Sequence, residues 1–219
     1  MTTVTVWIVG GVAAYLLGSI PFGFLLARSR GKDIRTLGSG NIGATNVFRS
    51  VSKPLGVLTF ALDFLKGLGG VTLIPALALT ICPPETGAAG GKGLAMFCGA
   101  LTVVGHNWTC FLRFKGGKGV ATSTGLVLGL APQAVGIAFV VWLVVFLMTR
   151  MVSAASVAAA VTLAAAVWWP LRLHAAYGFW FPAVFTALAA VAVWKHRSNL
   201  ARIRNGTEAR FTFRTRRQV

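Results

Sequence analysis

Carboxylates are what this sequence has least of. Its 219 residues include four Asp and Glu against 21 Lys and Arg, a formal net charge of +17. Sites that gather several acids around a metal therefore have little to work with. Three cysteines, Cys82, Cys98 and Cys110, form no CxxC or CxxH pair, so neither a metal site nor a disulfide framework is expected and the cysteines read as packing residues. No metal and no cofactor is implied. Charge of either sign is sparse as well: 11% of residues are charged, roughly half the share of a soluble domain. No recognition motif or aromatic stacking platform accompanies the basic residues, which argues against a nucleic-acid partner. The first apolar run has no basic segment before it and no small-residue cleavage site after it, so it is expected to be a permanent helix.

What is present is apolar, at 56% of residues, and it falls into runs long enough to cross a bilayer. The runs cover 4–27, 54–79 and 92–112, then 120–130 and 134–148 on either side of Ala131-Pro132-Gln133, then 153–169 and 178–194. Pro21 and Gly23 are expected to kink the far end of the first. The expected fold is an all-α polytopic membrane protein built as one domain over 1–219, with a basic tail from about residue 195.

Whether 120–148 is one kinked helix or two short ones is decided by charge. Two helices give seven spans, and every basic residue except Lys66, Lys92 and Arg172 then falls on one face. One helix gives six spans and exports Lys195, Arg197, Arg202, Arg204, Arg210, Arg214, Arg216 and Arg217. Basic residues collect on the cytoplasmic side, so seven spans are expected, with the N-terminus outside and the C-terminus cytoplasmic. Anionic lipid headgroups are the natural partner of so much positive charge.

Three polar clusters then share the cytoplasmic face. The first, GSGNIGATNVFR at 38–49, sets the small residues Gly38 and Gly40 beside Ser39, Asn41, Thr45, Asn46 and Arg49. Glycines let a backbone aim consecutive N–H groups at one point, hydroxyls and amides add donors, and an arginine neutralises charge, which describes an anion site. The second runs from His106 and Asn107 into Lys115, Gly116, Gly117, Lys118, Gly119 and Thr122. A glycine turn opening a helix suits a phosphate, although the GxxxxGK[ST] spacing of a Walker A loop is absent. Its bland alternative is a glycine loop between close-packed helices, and His106 is either a satisfied bundle histidine or a site contact. The third cluster holds His196, Asn199 and Glu208, with Arg202 or Ile203 on the same helical face and Glu208 expected to pair with one of the arginines. Asp63 and Lys66, spaced i, i+3 inside a span, are expected to pair and brace the site. GGKG at 90–93 and His174 fall on the outer face and receive no role.

These clusters resemble, in order, the motifs of the bacterial acyl-phosphate:glycerol-3-phosphate acyltransferases, the PlsY family. The resemblance rests on 38–49, on GHNWTCFLRFKGGKGVAT at 105–122, on HRSNLARIRNGTE at 196–208 and on Asp63 with Lys66-Gly67. It implies seven spans, a site facing the cytoplasm of a bacterial inner membrane, and fatty acyl transfer from acyl phosphate to the sn-1 hydroxyl of glycerol 3-phosphate. The implied products are lysophosphatidic acid and inorganic phosphate, formed without acyl-CoA. By motif position Ser39 resembles the essential serine and Arg49 the arginine for substrate phosphate. Lys115 and Lys118 resemble a second phosphate cradle, and His196, Asn199 and Glu208 resemble the third motif. Ser39, Arg49, Lys118, His196 and Asn199 are thereby the expected catalytic group, and the other residues of the clusters the expected substrate contacts. Ser153, after Arg150, falls on the same face and joins those contacts.

No general base stands out. The HxxxxD signature of acyl-CoA-dependent enzymes is absent, since Phe111, Phe179 and Ala201 follow the three histidines at that spacing. A substrate phosphate oxygen is therefore expected to accept the hydroxyl proton. Two rivals are a phosphate or organophosphate transporter, which would favour repeated halves and a mid-membrane site, and a CDP-alcohol phosphotransferase, which needs more aspartates than Asp33 and Asp63. The basic extension after Glu208 fits no motif of the family and is expected to contact anionic lipid.

Overall fold

A computed structural model describes residues 2–83, 91–168 and 180–212. The loop around Glu85, the segment with Arg172 and His174, and the tail arginines Arg214, Arg216 and Arg217 lie outside the described residues. The regular elements of the described chain are all helices: α1 Thr3–Ser19, α2 Phe22–Arg28, α3 Ala44–Ser50, α4 Lys53–Ile81, α5 Gly91–Asn107, α6 Val120–Leu130, α7 Pro132–Thr149, α8 Val152–Trp168, α9 Trp180–Lys195 and α10 Arg197–Arg204.

Among the described residues four stretches are long and apolar enough to cross a membrane: Thr3–Arg28, Lys53–Ile81, Gly91–Leu112 and Pro132–Thr149. Three apolar helices are shorter, Val120–Leu130, Val152–Trp168 and Trp180–Lys195. The run at 120–148 is thus two helices. Ala131 takes a non-helical conformation (φ −146°, ψ 67°) between them, and Pro132 opens α7 where its missing N–H is harmless. α7 leaves Phe139, Val140, Leu147 and Met148 exposed, a surface suited to lipid rather than water.

The pairing of helices follows their small residues. α1 lies on α5, α4 on both α5 and α6, α7 on α8, and α8 on α9. Gly18 and Gly105 let α1 and α5 touch backbone to backbone, since a Cβ at Gly18 would sit 2.0 Å from the Thr102 carbonyl oxygen. Hydroxyls stitch the same seam: Thr102 Oγ1 donates to Ala14 O at 3.2 Å and Tyr15 Oη to Trp108 O at 2.8 Å. Val71, Val103, Leu126, Val127, Phe181 and Phe185 form one buried core where α4, α5, α6 and α9 meet.

The expected kink at Pro21 is a full break between α1 and α2. Proline removes a helical N–H, and the carbonyls it strands need new donors in a nonpolar setting. Thr109 Oγ1 donates to Ser19 O at 2.6 Å, and Lys66 Nζ to Ile20 O at 2.8 Å. Lys66 also lies 2.9 Å from Asp63 Oδ1, with both side chains buried. The buried ion pair is therefore a brace for the broken first span.

The third run departs from expectation. Its helix stops at Asn107 rather than continuing to residue 112. Thr109 caps a 3-10 turn at Cys110–Leu112, and Arg113 and Phe114 follow in the left-handed region (φ 52° and 59°). The chain then doubles back until the Gly117 N–H donates to His106 O at 3.0 Å.

Candidate active site

The loop at 38–43 is built around one amide. Asn46 is buried in α3; its Nδ2 donates to Leu37 O at 2.9 Å and Asn41 O at 2.8 Å, and its Oδ1 accepts the Ser39 N–H at 3.1 Å and the Ser50 hydroxyl at 3.2 Å. Gly38 and Gly40 have positive φ (56° and 70°), and a Cβ at Gly38 would strike Asn46 Oδ1 at 2.3 Å. Glycine is therefore required there. Asn41 Oδ1 accepts the Gly43 N–H at 2.8 Å and shapes the approach to α3. Thr45 is half-buried in the first turn of α3. Ser39 is exposed, and among the described residues its hydroxyl makes no hydrogen bond.

The glycine turn sits on the end of α5. A Cβ at Gly116 would lie 2.1 Å from His106 O, and one at Gly117 would lie 2.2 Å from His106 Nε2. Gly119 adopts φ 77° and caps α6. The turn thus rests on His106, whose Nδ1 faces Asp63 Oδ1 at 3.5 Å. Asn107 and Thr122 are buried beneath the same turn, with Asn107 Oδ1 and Thr122 Oγ1 unpaired among the described residues. Lys115 is exposed on the rim.

Lys118 points the other way, into the third cluster. Its ammonium donates to Asn199 Oδ1, and Asn199 Nδ2 donates to Glu208 Oε1 at 2.6 Å. The same Oε1 accepts from Ser153 Oγ at 2.6 Å, and Oε2 accepts from Arg202 Nε at 2.8 Å. Arg49 reaches this group from α3 by donating from Nη2 to Ala209 O, at 3.2 Å, next to Glu208. Residues far apart in sequence are so joined in one connected network: Arg49, Lys118, Ser153, Asn199, Arg202 and Glu208. His196 lies in the break between α9 and α10, buried, its Nδ1 2.7 Å from Ala192 O. Its neighbour Lys195 donates to Asn107 O at 2.7 Å and lies over the Trp108 ring at 4.6 Å.

The electrostatics follow from one buried acid among several cations. Burial, then the nearby Arg202 and Arg49 charges, pull Lys118 down to about 8, although Glu208 works the other way. Burial, then the Lys118 charge, lower His196 to about 4, so it is neutral near pH 7. Burial would raise Glu208, but the hydrogen bonds from Ser153, Asn199 and Arg202 outweigh it, and the carboxyl stays ionised below its usual range. The result is a cationic surface rich in fixed donors, suited to phosphate groups. Among the described residues no group of three or more His, Cys, Asp or Glu could hold a metal.

The structure brings Arg49, Lys118, Ser153, Asn199 and Glu208 together, and presents Ser39 and Lys115 at the surface. It places Asn46 inside the first loop and His106, Asn107 and Thr122 under the glycine turn. The expected pairing of Glu208 with an arginine is made by Arg202. Two contributors were not picked out by sequence: Lys195 on the end of α5, and the chain at 209–211. Each stood in a basic stretch that reads equally well as a lipid anchor; Phe211, an aromatic among arginines, was the one available signal.

Residues 8–206 match the family model for glycerol-3-phosphate acyltransferase. A glycerol-3-phosphate acyltransferase of Geotalea daltonii is 45% identical over 208 residues, 95% of this chain and 97% of its own length. One from Desulforudis audaxviator is 42% identical over 217 residues, 98% of this chain and 100% of its own. Among solved structures, the crystal structure of PlsY, an integral membrane glycerol 3-phosphate acyltransferase, in its glycerol 3-phosphate form superposes with a TM-score of 0.80 at 38% identity. That match covers 94% of this chain and 96% of the other. Similar from end to end to these enzymes, and carrying their family's model over nearly its whole length, the chain belongs to the PlsY family of integral membrane glycerol-3-phosphate acyltransferases.

Proposed function

We propose that this protein transfers a fatty acyl group from acyl phosphate to the sn-1 hydroxyl of glycerol 3-phosphate, without acyl-CoA, metal or cofactor. The single observation that carries the reading is the linked cluster of Arg49, Lys118, Asn199, Ser153 and Glu208, cationic overall with one carboxylate. Both substrates bring a phosphate and the leaving group is phosphate, so such a surface serves binding and departure alike. Glycerol 3-phosphate as substrate is supported further by the PlsY neighbours, solved in glycerol 3-phosphate and lysophosphatidic acid forms.

The residues divide by placement. Arg49, at the exposed rim, takes the phosphate of the water-soluble substrate. Ser39, whose hydroxyl has no hydrogen-bond partner among the described residues, and Lys118 and Lys115 hold the acyl phosphate and its developing charge. Asn199, ordered by Glu208 and Ser153, fixes the Lys118 ammonium. His196 supports the α9–α10 break beside them. Asn46, Asn41, Thr45 and the glycines shape the first loop, while His106, Asn107 and Thr122 support the second.

In the reaction the sn-1 oxygen attacks the acyl carbonyl carbon, a new ester C–O bond forms, and the bond from that carbon to the phosphate oxygen breaks. The hydroxyl proton passes to a phosphate oxygen of a substrate, and inorganic phosphate leaves. His196 is a poor base with a pKa near 4. Among the described residues Ser39 lacks a partner base, which disfavours a covalent acyl-serine.

The proposed setting is a bacterial cytoplasmic membrane, crossed seven times by one domain over 1–219, with the N-terminus outside and the site on the cytoplasmic side. The seven apolar helical stretches and the basic residues around the clusters support it. Membrane lipid is then the surrounding partner and the solvent of the acyl chain. No observation favours transport.

The test is phosphate release by purified protein given palmitoyl phosphate and glycerol 3-phosphate. Wild type is expected to turn over, and Ser39→Ala to lose roughly 10²–10³-fold, the scale of a lost charge-stabilising donor. Undiminished turnover in both Ser39→Ala and Arg49→Ala would sink the reading.

A further inference from the structure

Arg49 is carried by a helix of seven residues that packs on α2, α4 and the turn at Ile34–Thr36. None of these supplies a member of the Lys118–Asn199–Glu208 network. The link is made by the chain that follows α10, beyond residue 206 where the family match ends. Gly206 turns it with φ 69°, and the Thr207 N–H donates back to Arg202 O at 2.8 Å. Glu208 is then fixed by Ser153, Asn199 and Arg202. Ala209 O accepts from Arg49, and the Phe211 N–H donates to Arg150 O at 2.7 Å. The Phe211 ring lies 5.5 Å from that of Phe48 and 5.7 Å, edge-on, from that of Phe146.

The segment is therefore anchored on α8 and α10 through Glu208, and on the α7–α8 turn through Phe211. At its middle and far end it touches two consecutive residues of α3, Phe48 and Arg49. One Nη2–H on Ala209 O orients the guanidinium and leaves its other N–H groups for an anion. The Phe211 ring, between Phe48 of α3 and Phe146 of α7, ties the helix beneath the guanidinium to α7.

We propose that residues 207–212 form a strap across the site, and that Phe211 is a positioning residue that fixes Arg49 for the phosphate of glycerol 3-phosphate. The inference rests on Arg49 as a phosphate ligand, the reading given above. It gives the extension after Glu208 a role in the reaction, where its sequence suggests only an anchor to anionic lipid.

Steady-state kinetics on the full-length protein test it. Phe211→Ala is expected to raise KM for glycerol 3-phosphate roughly three- to tenfold, the range of one or two lost aromatic contacts. kcat and KM for acyl phosphate should stay within about twofold, and Phe211→Tyr should restore the wild-type KM, because a ring suffices for these contacts. In an Arg49→Lys background Phe211→Ala should add nothing, as expected when two residues act through one interaction. A wild-type KM in Phe211→Ala, with Arg49→Ala impaired, overturns the strap and leaves the function standing. Equal losses in every parameter that persist in the Arg49→Lys background also overturn it. Wild-type kinetics in Arg49→Ala overturn the strap together with the phosphate reading beneath it.

Discussion

At the scale of single residues, Lys118 carries the sharpest pH signature. Burial lowers it to about 8, so the ammonium proposed to bind phosphate is present at pH 7 and lost as pH rises through 8. Because the charged form is the useful one, kcat/KM should fall above about pH 8, and the fall should move well above pH 9 in Lys118→Arg, whose guanidinium does not deprotonate. An acid limb near pH 6 is expected from the substrate phosphate, whose second proton is lost about there. That limb should survive in His196→Ala, since His196 titrates near 4. Loss of the limb in His196→Ala would instead make the histidine the base. Arg49 and Lys118 were legible as members of polar clusters on one face, and the fold joins both to the chain around Glu208, while Ser39 stands exposed apart from that network. Asn46 was legible as polar but not as a support: its five hydrogen-bond partners, at Ile34, Leu37, Ser39, Asn41 and Ser50, are set by how the loop closes.

At the scale of elements, the broken first span shows how a membrane helix tolerates proline. The break strands carbonyls, and Lys66 answers one of them from α4 while Asp63 balances its charge. Removing one partner of a buried pair leaves the other uncompensated, at about 3–5 kcal/mol. Lys66→Met is therefore expected to lower thermal stability sharply in detergent, and Asp63→Asn added to it to recover only part, because the Ile20 carbonyl still lacks its donor. Unchanged stability in Lys66→Met would show that the brace contributes nothing. The i, i+3 spacing made this pair readable, but its target could not be read, since Ile20 is 46 residues away. The early end of α5 was hidden for a related reason. Residues 108–112 are apolar enough to continue a helix, and the turn there depends on Thr109 bonding Ser19 across the bundle.

At the scale of the molecule, the split of 120–148 into α6 and α7 was legible because charge distribution over the entire chain, rather than local hydropathy, argued for it. The helix pairing was not, since it is fixed by close backbone approaches such as Gly18 on Thr102 that no periodicity announces. Orientation is open to a direct test. With Cys82, Cys98 and Cys110 replaced by Ala, a membrane-impermeant thiol reagent added to intact cells should label Thr2→Cys, and should label Arg204→Cys only after permeabilisation. The opposite pattern would invert the proposed topology. The convergence of three distant clusters likewise belongs to the whole molecule: sequence placed them on one face, while the bonds from Lys118 to Asn199 to Glu208, and from Arg49 to Ala209, appear only with the fold.

Acyl transfer itself is tested most directly by following labelled glycerol 3-phosphate in sealed vesicles containing the purified protein. The expected result is label entering lysophosphatidic acid, one phosphate released per acyl group transferred, with palmitoyl phosphate as donor and none with palmitoyl-CoA. Label accumulating unmodified inside the vesicles without any donor, or product forming from palmitoyl-CoA alone, would contradict it.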